Sequence, residues 1–257
     1  MDVGTVAPSA GRERPPSARP GVGIAAVDLV VLIDSGDAMR DLADTLSKVV
    51  GAAIGAARLR HPANLRVTYL GTEAAIPHTV FMISARGYLT VACRIDGALL
   101  MSRPRGSRSA EHEGQSAGAP GSAGHAIMDI ITHFDWRSGA TRNVLFLGDG
   151  PLDGVESLTP AGQGEDRGAA SRVIEVARRM GARVHLCPRL DRSRGDAELQ
   201  ERRREGIEAE YARVAAQTGG QFFVAHDGLG ACLTMLESVI GGSTAAPRVT
   251  TAEPVPR

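Results

Sequence analysis

The stretch Val27-Asp28-Leu29-Val30-Val31-Leu32-Ile33-Asp34-Ser35-Gly36-Asp37-Ala38-Met39 decides the fold. Residues 27–33 are rich in β-branched side chains and too continuously apolar for a half-exposed strand. They read as a strand buried on both faces, as in a parallel sheet covered by helices. The run ends in an acidic, glycine-containing turn and then takes up helical spacing. Asp34 falls at the carboxyl end of the strand, where open α/β sheets keep their ligand sites. A second copy of the arrangement lies downstream, in Asn143-Val144-Leu145-Phe146-Leu147-Gly148-Asp149-Gly150-Pro151. Two buried strands that each deliver an aspartate to one sheet edge suggest a hard-cation site built from oxygen ligands.

With these two stretches the chain resembles a von Willebrand factor type A domain. In that family the first strand normally ends in Asp-x-Ser-x-Ser and the fourth ends near a second aspartate. Phe134-Asp135-Trp136-Arg137, followed by 141–149, is similar to the lead into the fourth strand in bacterial and integrin-β-like members. The segment from Tyr211 through Gly219-Gly220 to Gln221-Phe222-Phe223 is similar to the helix, glycine pair and last strand that close such domains. The resemblance covers 26–240. It implies a three-layer, Rossmann-like α/β fold, with a central mostly parallel sheet, one antiparallel edge strand and helices on both faces.

The resemblance also implies a site. In the family the two aspartates, the serines and a loop threonine hold Mg2+ in a metal-ion-dependent adhesion site. Here the Asp-x-Ser-x-Ser positions read Asp34, Ser35, Gly36, Asp37 and Ala38, so both hydroxyls are missing. Mg2+ requires a near-octahedral shell of about six oxygens. Asp34 and Asp149 remain as ligands, Asp37 and Ser35 are the nearest substitutes, and Ser122, then Ser116, stands in the threonine's place. Such a degenerate set implies weak or absent Mg2+ affinity. Other readings stay open. Asp34 and Asp37 can cap the following helix, Asp149-Gly150-Pro151 can be a plain turn, and Asp153 can be a solvated loop residue.

Composition bounds the function. The 257 residues are 43% hydrophobic and 23% charged, ordinary for a globular domain. Twenty-nine basic residues balance 29 acidic ones, which offers no electrostatic case for nucleic acid, and 4% aromatics offer no stacking platform. Cys93, Cys187 and Cys232 are widely spaced in apolar segments and read as free thiols of a reducing compartment, hence a cytoplasmic expectation. No segment reaches the ~18–20 apolar residues of a membrane span. Residues 1–25, rich in Pro, Arg and Gly, read as a disordered lead-in, and 241–257 as a loose tail.

Enzyme motifs are missing. There is no Gly-x-Gly-x-x-Gly, no phosphate loop and no Gly-x-Ser-x-Gly elbow. The single lysine, Lys48, lies within an expected helix, and the seven histidines never fall four apart on one helix. A phosphoryl-transfer hydrolase of the haloacid-dehalogenase kind needs Asp-x-Asp, but Gly36 stands two residues past Asp34.

The remaining elements alternate. A first helix follows Met39 through Leu42, Leu46, Val50, Ala53 and Ala57. Residues 65–71 read as a strand near an edge, and 79–84 as a short strand antiparallel to its neighbour. Residues 88–101 fit either strand or helix, and 103–122 is a long low-complexity insertion. Helices are expected at 126–134, 169–180 and 229–240, and strands at 143–149, 182–187 and 221–224. The charged run 191–210 fits an exposed helix face. The expected function is a non-catalytic, single-domain adaptor. It would bind a protein partner at the carboxyl edge through loops 35–39, 103–122 and 148–153, with Gly36, Met39, Gly150 and Asp153 among the contact residues.

Overall fold

The computed structural model describes residues 26–60, 64–102, 123–152, 160–188, 197–223 and 229–244. Its centre is a four-stranded sheet of β1 (Ala26–Ile33), β2 (Asn64–Gly71), β3 (Thr141–Gly148) and β4 (Ala182–Pro188). The strand order is β2-β1-β3-β4, and every pairing is parallel. Because the chain begins in the middle of the sheet and winds outward both ways, helices cover both faces. This is the doubly wound, Rossmann-like arrangement the first strand's composition required.

The core divides at β1. Val30 and Leu32 point to one layer, where α3 (Ala123–His133), α4 (Pro160–Met180) and α5 (Ala197–Thr218) bring Ile127, Ile130, Val173 and Tyr211. Leu29, Val31 and Ile33 point to the other, against α1 (Asp37–Arg60) and α6 (Leu229–Thr244), which supply Val50, Ala53, Leu236 and Ile240. Successive strand residues face opposite sides, so a strand buried on both faces must be apolar at every position. Asp28 is the exception, and it is paired.

Asp28 is fully buried near the start of β1. Its two oxygens accept from the Arg137 amide (2.8 Å) and Nε (2.6 Å) and from Arg66 Nε (3.1 Å) and Nη2 (2.8 Å). Arg137 also donates to the carbonyls of Val27 and Asn64, tying β1 to β2. Arg66 reaches on to Asp135 and lies over the Phe134 ring, which stacks on Tyr88 and meets Trp136 at a tilt. Burial pushes the Asp28 carboxyl up, but the Arg137 amide and the two guanidiniums outweigh it and hold it below the usual carboxylate range. The stretch 134–137 is therefore a clamp across the amino edge of the sheet.

A second buried polar chain links β1, β3 and β4. His185 Nδ1 accepts the Gln221 amide at 3.1 Å, which leaves the ring proton on Nε2, 3.2 Å from Asn143 Oδ1. Asn143 Nδ2 in turn donates to the Asp28 carbonyl at 3.2 Å. Burial drives the His185 pKa down to about 3, with Arg183 adding to it.

Three expectations are corrected. Residues 79–84 form no antiparallel strand; they make one parallel bridge, Gly71 to Ser84. The cause is local. His78 takes φ 63°, and the Thr79 hydroxyl closes a turn by donating to Ile76 and accepting from Phe81. Phe81 is then buried against Tyr69 while Met82 and Ile83 both face out, which breaks the alternation a strand needs. Residues 221–223 likewise make a single bridge, Leu186 to Phe222, instead of a strand. The ambiguous 88–101 stretch resolves into α2 (Ala85–Val91), capped by the Ser84 hydroxyl, and a 3-10 turn, Gly97–Leu99. The helix α4 begins at Pro160, nine residues earlier than the apolar spacing indicates, with proline at a first-turn position that tolerates it. The lead-in 1–25, the insertion 103–122 and the tail beyond 244 lie outside the described residues.

Candidate recognition rim

The register of β1 on β3 pairs Ile33 with Leu147, and the Asp34 amide donates to the Leu147 carbonyl at 2.8 Å. Asp34 and Asp149 therefore leave neighbouring parallel strands at the same carboxyl rim. Tyr211 of α5 lies fully buried beneath both. Its hydroxyl donates to the Gly150 carbonyl at 2.6 Å and fixes the turn that carries Asp149. Burial raises the phenol well above its ordinary pKa, and the negative charges of Asp34, Glu210 and Asp149 raise it further. Gly148 is required here, since a Cβ at that position would meet the Phe146 ring at 2.4 Å.

The first-strand turn is organised by Ser35 and Asp34. Asp34 Oδ1 accepts the Gly36 amide at 3.0 Å, and the Gly36 carbonyl starts α1 by accepting from Arg40. Burial raises the Asp34 pKa. The Gly36 amide opposes this, the Glu73 charge reinforces it, and the Ser35 amide opposes it again, leaving the carboxyl above its usual range. Ser35, 4% exposed, turns its side chain toward the loop that follows β2. Its hydroxyl donates to the Ala74 carbonyl (3.1 Å) and accepts from the Glu73 and Ala74 amides, while Thr72 Oγ1 receives the Ser35 amide. This latch fastens the end of β2 to the rim. It also needs Gly71, where a Cβ would sit 2.0 Å from the Ala74 carbonyl oxygen.

The expected site residues thus separate. Asp34, Gly36, Asp149 and Gly150 share the rim, all partly accessible. Ser35, expected as a substitute metal ligand, spends its hydroxyl on the 72–74 turn. Met39, expected on the contact surface, is 1% exposed and packs in the core with α1's apolar face. Asp37 is the first residue of α1; its side chain, with Ser122 and Asp153, lies outside the described residues. Among the described residues no group of three or more His, Cys, Asp or Glu side chains is arranged to hold a metal ion. Gly36 and Ala38 carry no side-chain oxygen, and the Ser35 hydroxyl is engaged by the 72–74 turn, so among the described residues the hydroxyl ligands of the expected Mg2+ set are missing. Sequence reading missed Thr72 and Tyr211, whose roles depend on contacts 37 and 61 residues away in the chain.

Tyr211→Phe is expected to cost about 1–2 kcal/mol by leaving the Gly150 carbonyl without its buried donor. Urea titration reads the loss as a lower midpoint with unchanged slope.

No family model and no curated protein matches the chain. Among solved structures it is similar in chain path to an aerotolerance-related membrane protein from Bacteroides fragilis. Identity there is 17% and TM-score 0.42, covering 84% of this chain and all of that one. It is also similar to the conserved hypothetical protein BatB from Bacteroides thetaiotaomicron (18% identity, TM-score 0.41, 85% of this chain and 98% of that one). A third likeness is to proximal thread matrix protein 1 of the mussel byssus, solved with a zinc-occupied MIDAS motif. It is 10% identical with TM-score 0.44, and the match spans 84% of this chain and 45% of that one. At these values the likeness is one of chain path and carries no functional meaning for this chain. No helix among the described residues is long and apolar enough to cross a membrane.

Proposed function

We propose that this chain is a non-catalytic interaction or assembly module that binds a protein partner at the carboxyl rim, with weak or no dependence on Mg2+. The observation that carries this reading is the Ser35 latch. The Ser35 hydroxyl, expected as a substitute ligand, is committed to holding the loop after β2, so the rim is a fixed surface framed by Asp34, Gly36, Asp149 and Gly150. The experiment is site-specific photo-crosslinking from position 150, with the same probe at exposed Glu175 on α4 as the control. A defined protein adduct formed at the rim and absent from α4 supports the reading; equal labelling at both removes it.

One observation favours the rival, a Mg2+-dependent adhesion-type module. Asp34 is desolvated and sits in the field of Glu73, so a cation would relieve it. The two readings separate in thermal melts with millimolar Mg2+ or with EDTA, since a ligand that binds only the native state stabilises it. We expect Tm to be the same in both. Because burial disfavours its charged form, Asp34→Asn is expected to be neutral or slightly stabilising at pH 7. A Mg2+-dependent rise in Tm that Asp34→Ala abolishes would establish the rival.

A further inference from the structure

The outer edge of β2 carries hydrogen-bonding capacity that the fold leaves unused. Along a strand, the N–H and C=O groups of successive residues point to opposite sides. The Thr72 amide donates to the Ile33 carbonyl of β1, whereas the Gly71 amide donates outward to the Ile83 carbonyl, both at 2.9 Å. By that alternation Leu65, Val67 and Tyr69 also turn their backbone groups outward, while Arg66, Thr68 and Leu70 turn theirs to β1. Among the described residues nothing takes up the outward groups of Leu65, Val67 and Tyr69. All three residues are half-exposed, so this edge meets solvent.

An open edge is a template for another strand, and proteins blunt it with lysine, proline, bulges or covering loops. Residues 64–70 contain no lysine, proline or glycine, and their pairing with β1 runs without a bulge. The one charge there, Arg66, is bound to Asp28 and Asp135. Cover comes at the carboxyl end, where Gly71 bridges Ser84.

We propose that this edge pairs antiparallel with the same edge of a second copy, about a two-fold axis through Val67, joining the two sheets into one. The two ends of the free edge fix the register. Ser84 already occupies the line beyond Leu70, and β2 begins at Asn64. The longest antiparallel pairing that fits sets Asn64 opposite Leu70, Leu65 opposite Tyr69, Arg66 opposite Thr68 and Val67 opposite itself. Every outward residue then meets another, so each free N–H finds a C=O across the axis. A slip of one residue would set outward groups against inward ones and lose these bonds.

The side chains agree with this register. Leu65, Val67 and Tyr69 lie on the face that α1 and α6 cover, and their cross-strand pairs, leucine with tyrosine and valine with valine, suit a sheet. On the other face Arg66 meets a threonine, not a like charge. A chain with 29 basic and 29 acidic residues brings no net repulsion to a contact between copies. A two-fold contact must be self-complementary, and this edge is, which favours a second copy over a foreign strand.

Hydrogen exchange of the full chain at about 10 and about 500 μM reads the new bonds directly, because pairing protects amides by mass action. The amides of Leu65, Val67 and Tyr69 should exchange about tenfold more slowly at the higher concentration, while those of Arg66 and Thr68, which β1 already holds, should change little. Over the same range, sedimentation equilibrium should show the mass rising from 26.9 kDa toward twice that value. Val67→Lys sets like charges face to face on the axis and should weaken association by about tenfold or more, with a melting curve to check that the variant is folded. Exchange in the wild type decides the matter even where that variant does not fold. A mass of 26.9 kDa at every concentration would overturn the proposal. So would association in which the three outward amides exchange equally fast at both concentrations, or which a folded Val67→Lys chain retains.

Discussion

An Asp28→Asn chain is expected to lose about 3–5 kcal/mol of folding stability, because removing one partner of a buried ion pair leaves the other charges uncompensated. Asp28 is wholly buried, and the side chains of Arg66 and Arg137 are each 29% exposed. That partial contact with water places the loss toward the lower end. Against a total of about 5–15 kcal/mol for a natural domain, such a loss removes much of the margin. It is measured as the shift in urea midpoint. Arg137→Ala should follow the same direction, since it also frees the carbonyls of Val27 and Asn64. A change of less than about 1 kcal/mol in both variants would mean that the amino-edge clamp does not hold the sheet together.

The second large effect concerns acid. The folded pKa of His185 is about 3 against an ordinary 6.5. The unfolded chain therefore binds a proton that the folded chain refuses, at every pH between those values. Stability is fully present above pH 6.5 and is lost progressively as pH falls toward 3. By pH 4.5 the loss from this residue alone is about 2–3 kcal/mol. Asp28 acts lower down. Its depressed pKa contributes stability above the ordinary carboxylate value of 3.8 and loses it as pH falls through the folded value. Denaturant titrations from pH 7 to 4.5 should show the His185 loss in wild type. In His185→Gln the slope in that window should flatten, although the variant is less stable at pH 7. An equally steep fall in His185→Gln would assign the acid sensitivity elsewhere.

Much of the fold was legible because burial on both faces leaves a direct mark on sequence. The uninterrupted apolar runs in β1 and β3 carry two faces' worth of core, and each ends at its aspartate. Helix spacing was legible for the same reason, as the apolar face of α1 shows. What could not be read depends on contacts across the chain. The segment 79–84 has strand-like composition, but the Thr79 turn and the burial of Phe81 outweigh that propensity. Of the site, the convergence of Asp34 and Asp149 follows from two strand ends and one parallel register. The fates of Ser35 and Met39 do not. A serine beside a strand end can face the rim or the neighbouring loop, and only the position of Ala74 decides which. The clamp was partly visible as the Phe134–Arg137 motif, yet its purpose depends on Asp28, 109 residues upstream.

The strand order has a consequence for how the chain is made. Synthesis delivers the central strand first, with an acidic side chain that must end up without water. Arg66 emerges 38 residues after Asp28, but the partner that completes the cradle, Arg137, follows only 109 residues after it. Until then the nascent segment can join just β1 and β2, around a carboxylate that is still half-neutralised. Productive docking of that segment is therefore deferred until Arg137 and β3 arrive. A chain truncated before residue 137 should be held by chaperones rather than fold, because early collapsed segments with unpaired edges are the species prone to aggregate.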